Sequence, residues 1–242
     1  MPSPTPAAVA ALAPTGTLRV AINLGNMVLA QKDPVTGQPR GVTAELAAEL
    51  GRRLGVPVEL HPLDGAGKVF EAVKGGGIDI LFLAIEPVRA AEIAFTAPYV
   101  IIEGVYLVPK ESALQTVADV DRAGVRISVN KGSAYDLFLT RSLKAATLVR
   151  SEDGVATFKR DKLEAAAGVK QPIVLYANTD PDVRVLDGRF MEIRQAMGTP
   201  QGRPAGAAFL RGFVEEMKAS GFVADALRRS GQGDATVAPA EG

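Results

Sequence analysis

An α/β fold made of two successive units is what this sequence predicts. Three observations predict it. Strand and helix signals alternate from Leu18 onward. Ile78 to Ala84 (IDILFLA) is continuously apolar apart from Asp79, as a parallel strand covered on both faces reads. A second extended apolar run, Gly104 to Lys110 (GVYLVPK), is followed by a fresh round of alternation.

The elements follow in order. Leu18 to Ile22 is a short buried strand. Val42, Leu46, Leu50 and Leu54 recur every four residues and mark one helix face, with Glu49 and Arg53 as an attractive pair one turn apart. Gly55 and then Pro57 stop that helix. Val58 to Leu60 is a strand, and Lys68 to Lys74 a short helix ended by Gly75 to Gly77. In the second unit Thr116 to Asp119 forms a capping box. Arg126 to Val129 is a strand and Ser133 to Leu143 a helix. Thr147 to Arg150, Leu163 to Ala167 and Val183 to Leu186 are further strands. Pro204 to Ser220 is a helix with Ala208, Phe209, Phe213 and Met217 on one face. Residues 1–16 and 231–242 are expected to be flexible ends. Met1 to Pro14 has the small apolar run of a leader without a preceding basic residue, so a removed leader and none at all both stay open.

Composition narrows the function. The chain has 242 residues, with 27 basic and 27 acidic, so it lacks the global basic footprint of a nucleic-acid binder. It has no cysteine, which excludes disulfides, thiol nucleophiles and thiolate metal sites. Its single histidine, His61, makes a Ser-His-Asp triad or a zinc site a poor reading. No cofactor, metal or catalytic group is expected. No apolar run is long enough to span a membrane.

Two anion-binding elements stand out. Lys131-Gly132-Ser133-Ala134 joins a strand to a helix, at the carboxyl edge where ligands bind in such sheets. Free N–H groups, the Ser133 hydroxyl and the Lys131 charge all suit an anion. The alternative is that Ser133 only caps the helix. Arg89 follows the strand ending at Ala84, and its planar fork suits a carboxylate. The alternative is a surface ion pair with Glu86 or Glu92. Asp79 reads as a structural cap, His61 as a surface residue, and Gly75 to Gly77 as a turn, since no Gly-Lys-Ser/Thr follows.

The chain resembles the bacterial family 3 solute-binding proteins, the amino-acid-binding components of ABC importers. The resemblance runs from about Thr17 to Ser230. It is carried by Leu18-Arg19-Val20-Ala21, Gly41 to Ala47 (GVTAELA), Gly77-Ile78-Asp79-Ile80, Arg89 with Phe95-Thr96-Ala97-Pro98-Tyr99, and Asn130-Lys131-Gly132-Ser133. It implies a two-lobed, type II periplasmic-binding-protein-like fold, with two parallel-core sheets joined by two hinge strands. Lobe 1 would be 17–107 with 198–230, and lobe 2 108–197. The crossings would fall near Val105 to Lys110 and Met191 to Met197.

It also implies a ligand clamped in the cleft between lobes, with hinge closure. Arg89, six residues before Phe95, would grip the ligand carboxylate, and Ser133 would grip it from the other lobe. The ligand-binding set is then Arg89, Ser133, Gly132, Lys131, Ala134, Asn23, Asn26, Phe82, Ala84, Ile85, Tyr135 and Gly168. The implied partners are a small carboxylate or amino acid and the membrane subunits of an ABC transporter. The implied location is the periplasm, with the cytoplasm as the alternative.

The departures are specific. Asn23 to Leu29 carries no aromatic ring where the family stacks its ligand. The stretch before Arg89 is about two residues shorter than usual and lacks the common Thr. Ala166 to Lys170 has no acid where the family pairs the ligand's ammonium. An ammonium buried without a counter-charge is costly, so a small carboxylate or an amino acid held differently fits better, unless Glu103 or Glu86 substitutes. Two other functions stay open. One is a cyclohexadienyl-dehydratase-like enzyme drawing on Lys131, Tyr135, Asp136 or Glu103. The other is a ligand sensor working without a transporter.

Overall fold

A computed structural model describes residues 3–241. The chain forms two compact units. One runs to Ile101 and resumes at Arg194; the other is Ile102–Ile193. In order, the elements are α1 (Pro6–Leu12), β1 (Leu18–Asn23), β2 (Gln31–Lys32), β3 (Pro39–Arg40), α2 (Val42–Leu54), β4 (Val58–Leu63), α3 (Ala66–Lys74), β5 (Ile80–Ala84), α4 (Pro87–Ala90) and β6 (Ile93–Pro109). A single 3-10 turn, Val117–Val120, precedes β7 (Arg126–Asn130), α5 (Ala134–Ser142), β8 (Thr147–Ser151), α6 (Gly154–Arg160), β9 (Ala165–Val169), α7 (Lys170–Thr179) and β10 (Val183–Val185). The chain finishes with β11 (Met191–Pro200), α8 (Pro204–Ala219), α9 (Phe222–Arg229) and β12 (Thr236–Val237). It passes from unit to unit twice, inside β6 between Ile101 and Ile102 and inside β11 between Ile193 and Arg194.

In the first unit β1 runs parallel to both β4 and β5, and β11 closes on β5 antiparallel. The helix expected from the four-residue spacing is α2. Val42, Leu46, Leu50 and Leu54 are its buried face, and it ends on Gly55 in the left-handed region at φ 69°. α3 packs Val69 and Val73 onto Ala21, Leu81 and Leu83. Glu49 accepts from both Arg52 and Arg53, and Arg53 reaches on to Glu216 of α8 at 2.7 Å. The Arg52 hydrogen bond does most to hold the Glu49 carboxyl down, at about 2.

Asp79 is a structural clamp. It is fully buried just before β5 and accepts from Arg19 Nε and Nη2 at 2.8 and 2.9 Å and from Arg203 Nη1 at 2.8 Å. Arg203 also donates to the Ala11 carbonyl at 3.1 Å. Burial alone would raise this carboxyl, but the hydrogen bonds from Arg19 and Arg203 outweigh it and hold it below the ordinary value.

In the second unit β7 runs parallel to β8 and β9, and β6 pairs antiparallel with β9 and β10. Phe158, Leu163, Ala166, Ile173 and Val183 close with Val105 and Leu107 into its core.

Three expectations are corrected. The lead segment is not a flexible end. Thr5 caps α1, accepting from Ala8 N at 3.1 Å, and Leu12 is fully buried over Gly206 of α8. The C-terminal segment is ordered in part, since β12 pairs with Val100 and Ile101 of β6. Met1, Pro2 and Gly242 lie outside the described residues. The strand expected at Leu163 to Ala167 is β9, shifted two residues later. α7 gave no helical signal because Ile173, Val174 and Tyr176 favour strands and Ile173 alone of the helix is buried, so no apolar face repeats. α6 and α9 are likewise additions to the elements read from sequence.

Candidate ligand-binding site

The first unit places its candidates on two neighbouring loops. β1 and β5 are adjacent and parallel, with Val20 beside Ile80 and Ala21 beside Leu81. Their carboxyl ends therefore open onto one edge of the sheet. Asn23 ends β1 and Asn26 lies on the loop after it, while Ala84 ends β5, Ile85 follows it and Arg89 lies in α4.

Arg89 sits in the one-turn helix α4, whose first residue is Pro87. It is 1% exposed, so it is not the surface side chain that the ion-pair alternative assumes, although the charge of Glu86 acts on it. Its Nη1 donates to the Ala84 carbonyl at 3.0 Å. Burial pulls the guanidinium down to about 10, and the charge of Glu86 opposes that shift. Arg89 thus stays cationic at neutral pH. Glu86 stands at the N-cap position of the same turn, its side chain making no capping hydrogen bond, and is itself 3% exposed. The structure therefore puts a buried cation and a buried carboxylate three residues apart at the end of β5. Sequence spacing had named Glu86 as a partner, but not its burial.

The loop after β1 is held by its own backbone. Gly25 N donates to Asn23 Oδ1 at 3.0 Å, and Leu29 N and Ala30 N donate to the Asn26 carbonyl at 3.0 and 2.9 Å. The Asn26 side-chain oxygen is buried without a hydrogen-bond partner. A buried acceptor in that condition is costly unless something donates to it. Met27 and Ile85 present exposed apolar side chains beside Asn26 and Glu86 in sequence. Phe82 lies in the interior of the unit, edge-on to Tyr99 with ring centroids 6.0 Å apart.

In the second unit the turn after β7 is organised by Asp136, an acid that the sequence offers only as a candidate for acid–base chemistry. Gly132 stands at φ 72°, the left-handed conformation that the turn requires. Its N–H donates to Asp136 Oδ2 at 2.9 Å, and Arg150 Nε donates to Asp136 Oδ1 at 2.8 Å. Ser133 is the N-cap of α5, accepting from Asp136 N at 3.1 Å. Capping uses a lone pair of the hydroxyl, and the same hydroxyl pairs with the Tyr135 phenol. Asn130 Oδ1 is engaged by Gly154 N at 2.8 Å. Lys131 is exposed, while Ala134 and Tyr135 are buried at the first turn of α5. Burial pushes the Tyr135 phenol up to about 12, against hydrogen bonding with Ser133 and Asn130.

Gly168 lies near the end of β9, parallel to β7, so it shares the edge of this turn. A side chain there would meet Ile173 at 2.8 Å, which makes Gly168 a packing requirement in its own right. Glu103 accepts from Lys170 and from Arg189, each at 2.7 Å. The Lys170 bond leads in holding its carboxyl below the ordinary range. A proton donor at neutral pH needs the opposite shift. Among the described residues no group of three or more His, Asp or Glu side chains is gathered for a metal ion, and no helix is long and apolar enough to cross a membrane.

Among the solved structures similar to the chain are the following three. The solute receptor for L-cysteine of Neisseria gonorrhoeae shares 23% identity at a TM-score of 0.78, covering 92% of each chain. The amino acid ABC transporter substrate-binding protein AbpA of Streptococcus pneumoniae, bound to L-arginine, shares 20% at 0.77, covering 93% of this chain and 99% of that one. The ancestral amino acid-binding protein AncCDT-1, a precursor of cyclohexadienyl dehydratase, shares 24% at 0.74, covering 91% and 97%. At such identities the likeness shows the fold, that of the type II periplasmic binding proteins. No curated protein matches the chain. The sequence pattern of one family does match, over residues 18–231, from the first residue of β1 to just beyond α9. With nearly its whole length covered by that pattern, the chain belongs to the bacterial extracellular solute-binding proteins, family 3.

Proposed function

We propose that this solute-binding protein takes a small amino acid or a related carboxylate, gripped by Arg89 of the first unit, with the Lys131 to Ala134 turn of the second as a separate candidate for an anion. The observation that carries the proposal is the burial of Arg89, 1% exposed at the carboxyl end of a parallel strand. A guanidinium kept from water gains most from a carboxylate that it can hold with two parallel hydrogen bonds. In the second unit Lys131 is exposed beside the Ser133 cap and supplies a positive charge to an anion at that turn.

The ligand-bound form would then be read by the membrane subunits of an ABC-type importer, on the outer side of the membrane. The family's description as extracellular supports that location. The substrate-binding role named for the Streptococcus pneumoniae neighbour supports the partner.

A thermal-shift screen against amino acids and small carboxylates tests the proposal, repeated with Arg89→Ala. A ligand of the folded state raises the melting temperature by mass action. The expected result is a carboxylate hit that disappears in the variant. A shift that survives Arg89→Ala, or no carboxylate hit at all, overturns the assignment. On this reading the ligand is bound and released unchanged. Incubating each hit with the protein and looking for product checks that, since turnover would favour the dehydratase-like alternative.

A further inference from the structure

We infer that Asn26 is a specificity residue of this site, its side-chain amide taking a hydroxyl or carboxamide carried by the ligand, so that a ligand with such a neutral polar group is preferred to its apolar counterpart. The inference rests on the carboxylate-clamp reading of Arg89.

The loop that carries Asn26 is fixed without its side chain. Asn23 shows what a structural asparagine does in this loop, since its Oδ1 accepts from Gly25 N two residues on. Asn26 makes no such bond. Its turn is closed by main chain alone, its N–H donating to the Asn23 carbonyl at 3.3 Å and its own carbonyl accepting from Leu29 N and Ala30 N. Thr43 then fastens Leu29, its N–H and its Oγ1 each donating to the Leu29 carbonyl at 3.2 Å. Val28, Leu29 and Ala30 are buried. Asn26 is itself 7% exposed, its Oδ1 has no donor, and among the described residues none accepts from its Nδ2. A buried polar side chain left in that condition is costly, so its place is explained by a partner from outside the protein. The kind of partner follows from the amide, which both donates and accepts. An ammonium only donates and a carboxylate only accepts, so either leaves half of the amide unspent. A hydroxyl or a carboxamide does both. Asn26 follows β1 and Arg89 follows β5, and these adjacent parallel strands lie about 4.8 Å apart and open onto one edge. The carboxylate end and the polar end of one small ligand are thus assigned to neighbouring loops.

The test uses pairs matched in size: threonine and valine, asparagine and leucine, glutamine and methionine, 3-hydroxybutyrate and butyrate. Calorimetry measures each compound on wild type, Asn26→Leu, Asn26→Ala and Arg89→Ala. Wild type should prefer the polar member of at least one pair by about tenfold or more, the scale of a buried polar group left unpaired. Asn26→Leu, which keeps the volume, should abolish or reverse that preference. Asn26→Ala should abolish it too, and serves if the Leu variant does not fold. Because the amide makes no hydrogen bond inside the protein, Asn26→Leu should melt, without ligand, no more than about 2 °C below wild type. No preference or one for the apolar members, a preference unchanged in both Asn26 variants, a ligand-free chain destabilised by both, or no binding by any of these compounds overturns the inference while leaving Arg89 as the carboxylate clamp. Binding that survives Arg89→Ala overturns the clamp and this inference with it.

Discussion

Replacing Asp79 by alanine should destabilise the first unit by about 3 kcal/mol. The side chain is fully buried and accepts three hydrogen bonds of 2.8 to 2.9 Å from two arginine side chains, with Arg19 N a fourth donor at 3.3 Å. Breaking a buried ion pair by removing one partner costs about 3–5 kcal/mol. The lower end applies because Arg19 and Arg203 are about one-fifth exposed and keep contact with water once released. At about 2–4 °C per kcal/mol for a chain of this size, the melting temperature falls by roughly 6–12 °C. Urea unfolding gives the free energy and calorimetry the temperature. The sign of the pH dependence follows from the depressed carboxyl. A group whose folded pKa lies below its unfolded one stabilises fully above the unfolded value and loses that contribution as pH falls through the folded value. The gap between wild type and variant should therefore be constant from about pH 7 to pH 5 and narrow below about pH 4. A loss under about 1 kcal/mol, or a gap that widens on acidification, would refute the clamp.

Two further outcomes follow from the packing. Leu12→Ala should cost about 2–4 kcal/mol and open residues 3–14 to proteolysis, because Leu12 is fully buried over Gly206; a variant as resistant and as stable as wild type would mean that α1 is not docked in solution. Asp136→Ala should cost about 1–2 kcal/mol, a modest figure because Arg150 is two-fifths exposed. It should also speed amide exchange at Gly132, and unchanged exchange there would show that the carboxylate does not hold the turn.

Much of the architecture is legible in the sequence because strands and helices here obey local rules. The spacing of Val42, Leu46, Leu50 and Leu54 is visible from one stretch of chain, and so is the apolar run of β5. Arg89 and Ser133 are legible for the same reason, since each sits one short step beyond a strand that the pattern marks. α7 and β12 are not. The first has strand-like residues in a helix, and the second is two residues long and exists through pairing with β6.

What the sequence determined by itself is therefore the alternation of the main strands and helices, the α/β class, the membership of a solute-binding family and the two turns that could meet an anion. The tertiary structure decided what those turns are made of. It buried Arg89 together with Glu86, committed Glu103 to two cations, gave Gly132 a carboxylate partner in Asp136, and joined Asp79 to arginines 60 and 124 positions away. The reason is physical. Periodicity is a property of neighbours along the chain, whereas the charge that a buried group feels depends on which distant side chains the fold brings against it.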